Sequence, residues 1–169
     1  MRKSLWAAAV AACAIGFGAV HAADIATLEA DLEKARLEAP MTVQSFMLVK
    51  EPAKYFGDFN PRNNANFKAG EDMNFYGEPR NLVFPKGNNG KYTIAFAVDL
   101  EVTDASGKSM KKDNFEQFKL ESRSRLQDLY LNLRVSLTNA PPGKYTVKFR
   151  IRDKNSKKVA EVAQDVSIK

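Results

Sequence analysis

Residues 91–104 read Lys91-Tyr92-Thr93-Ile94-Ala95-Phe96-Ala97-Val98-Asp99-Leu100-Glu101-Val102-Thr103-Asp104. Large apolar residues hold every second position from Tyr92 to Val102, and Thr93, Ala95, Ala97, Asp99, Glu101 and Thr103 alternate with them. Successive side chains of an extended backbone point to opposite faces, so this period of two predicts a strand with one buried face. Asn88-Asn89-Gly90 before it and Asp104-Ala105-Ser106-Gly107 after it supply the positive-φ and Asx residues of tight turns.

The same alternation recurs on both sides. Thr42 to Val49, Met73 to Glu78, a segment around Phe118 and Leu120, Leu129 to Leu137, Lys144 to Arg152 and Val159 to Ile168 are expected strands. Arg123-Ser124-Arg125 reads as a polar connection and Asp153-Lys154-Asn155-Ser156 as the last turn. About seven strands with no helix-period segment beyond residue 40 predict an all-β chain, folded as an antiparallel β-sandwich over residues 41–169. No repeat, low-complexity tract or linker divides it, so one domain is expected.

Ahead of the strands, Ile25, Leu28, Leu32, Ala35 and Ala39 recur at spacings of three and four, and Pro40 follows. Residues 23–40 are therefore expected to hold a short amphipathic helix, serving as a tether, docked on the domain edge, or binding a partner. Further upstream, Arg2 and Lys3 precede an apolar run from Leu5 to Val20 that ends Ala19-Val20-His21-Ala22. That is the layout of a secretory signal peptide over residues 1–22, and it predicts a periplasmic or secreted protein. The alternative is a lipid anchor at Cys13, after Val10-Ala11-Ala12. No other apolar run approaches the roughly 18 residues of a membrane span, so an integral membrane protein is not expected.

The leader changes what the composition means. Trp6, Cys13 and His21 are the chain's single Trp, Cys and His, and all three lie within it. Removing these 22 residues from a 169-residue chain with 26 basic and 20 acidic groups leaves 147 residues at a net +4. Without Cys or His, the remainder has no Ser-His-Asp or Cys-His nucleophile, Cys/His zinc site or disulfide. Neither a cofactor nor a catalytic residue is assigned. The mild charge and the export signal argue against nucleic acid as a partner, and leave a protein or an envelope glycan or polymer.

Leu137-Thr138-Asn139-Ala140-Pro141-Pro142-Gly143-Lys144-Tyr145 resembles the corner of immunoglobulin-like sandwiches, where a Pro/Gly turn precedes a Tyr bonded back to nearby backbone. Phe67-Lys68-Ala69-Gly70-Glu71 leading into Met73 is similar to the turn-then-strand opening of bacterial immunoglobulin-like modules. Residues 41–169 thus resemble exported single-domain immunoglobulin-like proteins that have no settled biochemical role. The resemblance implies the architecture and a corner role for Tyr145. It implies no activity, and the cysteine pair and Trp of antibody domains are missing.

Three segments are candidate contact surfaces. The first, Tyr55 to Phe67, mixes four aromatics with four Asn, Asp58, Pro61 and Arg62 and has no clean period. It reads either as a binding loop, with Tyr55, Phe59 and Arg62 in contact, or as a plug in which Phe56, Phe59 and Phe67 close one end of the sandwich. In the second, Glu78 and Arg80 flank Pro79, either gripping a polar ligand or protecting an edge strand. The third is the row Lys144, Lys148, Arg150 and Arg152, with Arg134 as an extension; it either faces an anion or is neutralised by an acid such as Glu161.

Two further chemistries are weighed on the carboxylates. Asp99 and Glu101 stand two apart on one strand face and are the residues on which a carboxylate-based glycan hydrolase would rest. Asp104 with Asp153 or Asp58 would offer oxygen ligands to calcium, although no EF-hand spacing accompanies them. The reading that results is a non-catalytic binding or interaction module.

Overall fold

The computed structural model describes residues 24–169. The expected leader, its cut site at Ala22 and the alternative anchor at Cys13 lie outside the described residues. Helix α1 spans Ile25–Glu38, followed by β1 Thr42–Val49, β2 Asn66–Phe67, β3 Asp72–Arg80, β4 Tyr92–Asp104, β5 Ser109–Ser122, β6 Leu131–Ser136, β7 Gly143–Asp153 and β8 Val159–Ile168. The strands form a three-stranded sheet, β1-β3-β6, and a five-stranded sheet, β2-β8-β7-β4-β5. All their pairings are antiparallel except β2 with β8, which is parallel. The two-residue β2 is an addition to the expected strands, and it ends the 55–67 segment.

The core is the apolar face of β4 closed by both sheets. Ile94, Phe96, Val98, Leu100 and Val102 are buried beside Val147, Phe149 and Ile151 of β7 and opposite Leu131, Leu133 and Val135 of β6. Phe149 is its centre, with ring centroids of Phe75, Phe46 and Phe115 at 5.0, 6.1 and 6.3 Å. Alternation on β4 thus gave the right face.

Two elements depart from expectation. Strand β5 is 14 residues long, reaching well upstream of Phe118 because β4 pairs along it from Ser109. Its Ser109–Asn114 half is polar and bulged, with Asn114 at φ 51°, so it carries no apolar period to read. Helix α1 forms as expected, yet its stripe does not dock: Ile25, Leu28 and Leu32 are exposed. The contacts to the domain are polar instead. Glu33 pairs with Arg125, Arg36 donates to Gln127 Oε1 at 2.7 Å, and Lys158 Nζ donates to the Arg36 carbonyl at 2.7 Å. Arg125 already lies over the rings of Phe84 and Tyr92, which presents a fixed cation to the helix. Among the described residues, no helix is long and apolar enough to cross a membrane.

Candidate functional site

The middle strand of the small sheet, β3, is covered on both faces. On β3, Met73 and Phe75 enter the main core, whereas Tyr76 turns outward into a second cluster with Val49 and Ala53, flanked by Met47, Phe59 and Tyr130. Residues 50–62 lie over that outer face. Asn132 grips the backbone of Ala53 at both ends, accepting from its N–H at 3.0 Å and donating to its carbonyl at 2.8 Å. Tyr130 donates to the Lys54 carbonyl at 3.0 Å, and the ends of the segment close through Lys50 N–H to Asn60 O and Arg62 N–H to Leu48 O, each 2.9 Å. Several such bonds together fix a backbone that propensity alone leaves free.

The candidate residues of this loop serve the same attachment. Phe59 packs on Tyr76, centroids 4.7 Å apart. Arg62 lies 4.0 Å over the Phe67 ring, pairs with Glu71 at 2.8 Å and donates to the carbonyls of Asn64 and Asn66. Phe67 itself is buried in the main core. The plug therefore covers a sheet face and not the end of the sandwich. Of the five candidate contact residues, Tyr55 alone remains mainly exposed, at 64 %.

Glu78 and Arg80 stand at the centre of this attachment. The Gly57 N–H donates to the Tyr76 hydroxyl at 2.9 Å, which donates to Glu78 Oε1 at 2.9 Å, and Glu78 Oε2 pairs with Arg80 Nη2 at 2.7 Å. Arg80 also donates to Gln44 Oε1 and the Gln127 carbonyl, both at 3.1 Å, with Phe56 5.2 Å from its guanidinium. Burial, with the Glu78 carboxylate beside it, pushes the Tyr76 hydroxyl pKa up. The edge-strand reading is corrected here: β3 lies between β1 and β6, and Glu78 is buried. Pro79 is tolerated because β6 pairs with β3 only as far as Gly77, so the missing N–H falls beyond that ladder.

On the large sheet, acids oppose the basic row. Register sets Asp99 beside Arg150 and Glu101 beside Lys148. Arg152 grips Asp99 through two bonds of 2.6 and 2.8 Å, Glu101 takes Lys148 at 2.9 Å and Lys111 at 3.2 Å, and Arg150 meets Glu161 at 3.5 Å. Arg134 does not extend this row: it lies on β6 of the small sheet, which does not pair with β7, and sits 3.4 Å from Asp72. Asp99 also accepts the Asn114 N–H at 2.8 Å, which fixes the β5 bulge. The Arg152 guanidinium holds the Asp99 carboxyl below its ordinary range, and Lys148 with Lys111 holds Glu101 down to about 2. Glycosidic hydrolysis requires one carboxyl kept protonated, which is the opposite shift on both. The lowered values also set a pH dependence. The unfolded chain protonates these groups first, so their contribution is full above the ordinary carboxylate range and is lost as pH falls toward 2. Glu101→Gln is expected to flatten the acid limb of stability between about pH 4.5 and 2, read by urea midpoints at stepped pH.

The calcium pairing of Asp104 with Asp153 is excluded by register. Asp104 is opposite Tyr145 and Asp153 opposite Phe96, eight positions along β4 and therefore about 27 Å apart. Each caps its own turn: Asp104 accepts from Ser106 and Lys108, and buried Asp153 from Val83, Asn155 and Ser156. Asp58 lies in the segment over the small sheet. Tyr145 donates its hydroxyl to the Pro141 carbonyl at 2.8 Å, closing the β6–β7 corner, while Lys144 is exposed beside it. Tyr145→Phe is expected to lower stability by about 1 kcal/mol, measured by urea unfolding.

Sequence reasoning did not find Tyr76 or Asn132, and it weighed Asp153 as a calcium ligand where the structure makes it the buried acceptor of its own turn. A usable signal for the first existed: Phe75 and Tyr76 are consecutive large rings on one strand, which requires cover on both faces.

No protein-family model matches the chain, and no curated protein matches it. Among solved structures, the sporulation control protein Spo0M of Bacillus subtilis is similar at 9 % identity and a TM-score of 0.36, over 78 % of this chain. The chain spans 50 % of the length of that protein.

Proposed function

We propose that the chain is an exported, non-catalytic interaction module built on an immunoglobulin-like sandwich. Export rests on the sequence of residues 1–22. The immunoglobulin-like reading is supported by the strand order: β1-β3-β6 against β8-β7-β4-β5 corresponds to strands A-B-E facing a G-F-C-C′ sheet, with the two-residue β2 added beside β8 and Tyr145 at the start of the F strand.

The observation that carries the non-catalytic reading is the engagement of the reactive side chains. Asp99, Glu101, Glu71 and Asp104 are each held ionised by a cation or a donated hydrogen bond, and Glu78 is buried in an internal pair. A general acid or base works best with a pKa near the operating pH, and Asp99, Glu101, Glu71 and Asp104 are all shifted the other way. What remains for function is surface, away from Phe59, Arg62, Glu78 and Arg80. The neutralised row of Lys148, Arg150 and Arg152 gives no support to polyanion binding.

The test uses immobilised protein on envelope extract beside a glycan substrate panel. Specific partners with no substrate turnover is the expected result; turnover abolished by Asp99→Asn would overturn the non-catalytic reading.

A further inference from the structure

The sandwich is open along one side, between β5 at the end of the large sheet and β6 at the end of the small one. A groove of about 400 Å³ runs between these two edges. Its floor is apolar: Phe118, Leu120 and Leu126 are accessible in it, backed by Phe96, Leu131 and Leu133 of the buried core. Glu116 and Asp128 are the charged residues that line it, and neither is in an ion pair among the described residues.

The two edges are not equivalent. Along β5, Lys111, Lys112 and Lys119 and the bulge at Asn114 are devices that discourage a further strand. Strand β6 is regular over Leu131–Ser136, alternates buried and exposed residues, and bonds to β3 on one side. An incoming segment of the same length, about 20 Å, would complete its ladder and turn alternate side chains onto the apolar floor.

The charge decides what that segment is. The described residues carry a net +4, so an unpaired acidic rim on an apolar groove runs against the surrounding field. It attracts cations and repels anionic lipid or polymer. A second copy meeting this groove about a two-fold axis would set Glu116 and Asp128 against their own equivalents. We propose that the groove receives an extended segment of a partner protein that alternates apolar and basic residues, added as a strand to the free edge of β6. This rests on the interaction-module reading and names its contact surface and partner class.

The test is fluorescence anisotropy with the protein and three labelled ten-residue peptides: alternating Leu and Lys, alternating Leu and Glu, and the Leu-Lys peptide with a central Pro. The Leu-Lys peptide is expected to bind about tenfold or more tightly than the Leu-Glu one, with the preference reversed by Glu116→Lys combined with Asp128→Lys. The central Pro removes a ladder donor and is expected to weaken binding about tenfold. Amides of Leu131–Ser136 should gain hydrogen-exchange protection on binding. Undetectable binding of the Leu-Lys peptide, or binding insensitive to either the rim substitutions or the Pro, would overturn the proposal. Capture from envelope extract separates the two readings. Partners retained equally by the rim variant defeat the groove and leave the module reading standing, whereas an absence of partners for the unaltered protein defeats the module reading itself.

Discussion

Phe149→Ala is expected to lower the unfolding free energy by about 4 kcal/mol, a large part of the roughly 5–15 kcal/mol that holds such a domain together. The residue is fully buried on β7, where Phe46 and Phe75 of the small sheet and Phe115 of the β5 bulge surround it. Truncation removes a ring's worth of apolar burial and leaves a cavity that strands of two sheets cannot jointly collapse into. Ile151→Val, on the same strand and face, is expected to cost only about 1 kcal/mol. Urea unfolding with an unchanged slope is the measurement. A loss below about 1 kcal/mol for Phe149→Ala would mean that the sheets do not pack through this residue.

The second large effect is at Glu78. Its carboxylate accepts from Tyr76 on one oxygen and from Arg80 on the other, and the side chain is nearly inaccessible to water. Glu78→Ala is expected to cost about 3 kcal/mol, because it leaves a buried hydroxyl and a largely covered guanidinium without their acceptor. Glu78→Gln keeps an acceptor for one donor and should cost about half as much. A ligand-gripping carboxylate would behave otherwise: its removal would leave stability unchanged. The pair of variants read by urea unfolding distinguishes these cases.

The fold was legible where one face of a strand met the core and the other met water. On β6 and β7 that single burial contrast imprints a period of two, and on β4 the period survives although Ala95 and Ala97 are buried as well, because the positions on that face carry only small side chains there. Legibility failed where this contrast disappears. On β3 a second cluster covers the outer face, so Tyr76 and Glu78 are both buried and the polar positions resemble a ligand site or an edge. On β5 the exposure is nearly continuous, and the strand is recognisable only through its partner.

The candidate site was harder to read for a related reason. Arg62, Glu78, Arg80 and the aromatics between Tyr55 and Phe67 have the chemistry of a contact surface, but the same chemistry fastens a loop to a sheet. Which of the two it performs depends on partners such as Asn132 and Tyr130, which hold Ala53 and Lys54 from 79 and 76 residues away in the chain. The basic row likewise became neutral only once register brought Asp99, Glu101 and Glu161 beside it.

Amide hydrogen exchange along residues 50–62 tests most directly whether these groups are committed to the fold. The N–H groups of Lys50, Ala53, Gly57 and Arg62 each donate to a defined acceptor. They are predicted to exchange slowly in the unaltered protein, with Gly57 released selectively by Glu78→Ala. Exchange of these four amides at the rate of an open chain in the unaltered protein would contradict the account and return the segment to the role of a mobile binding loop.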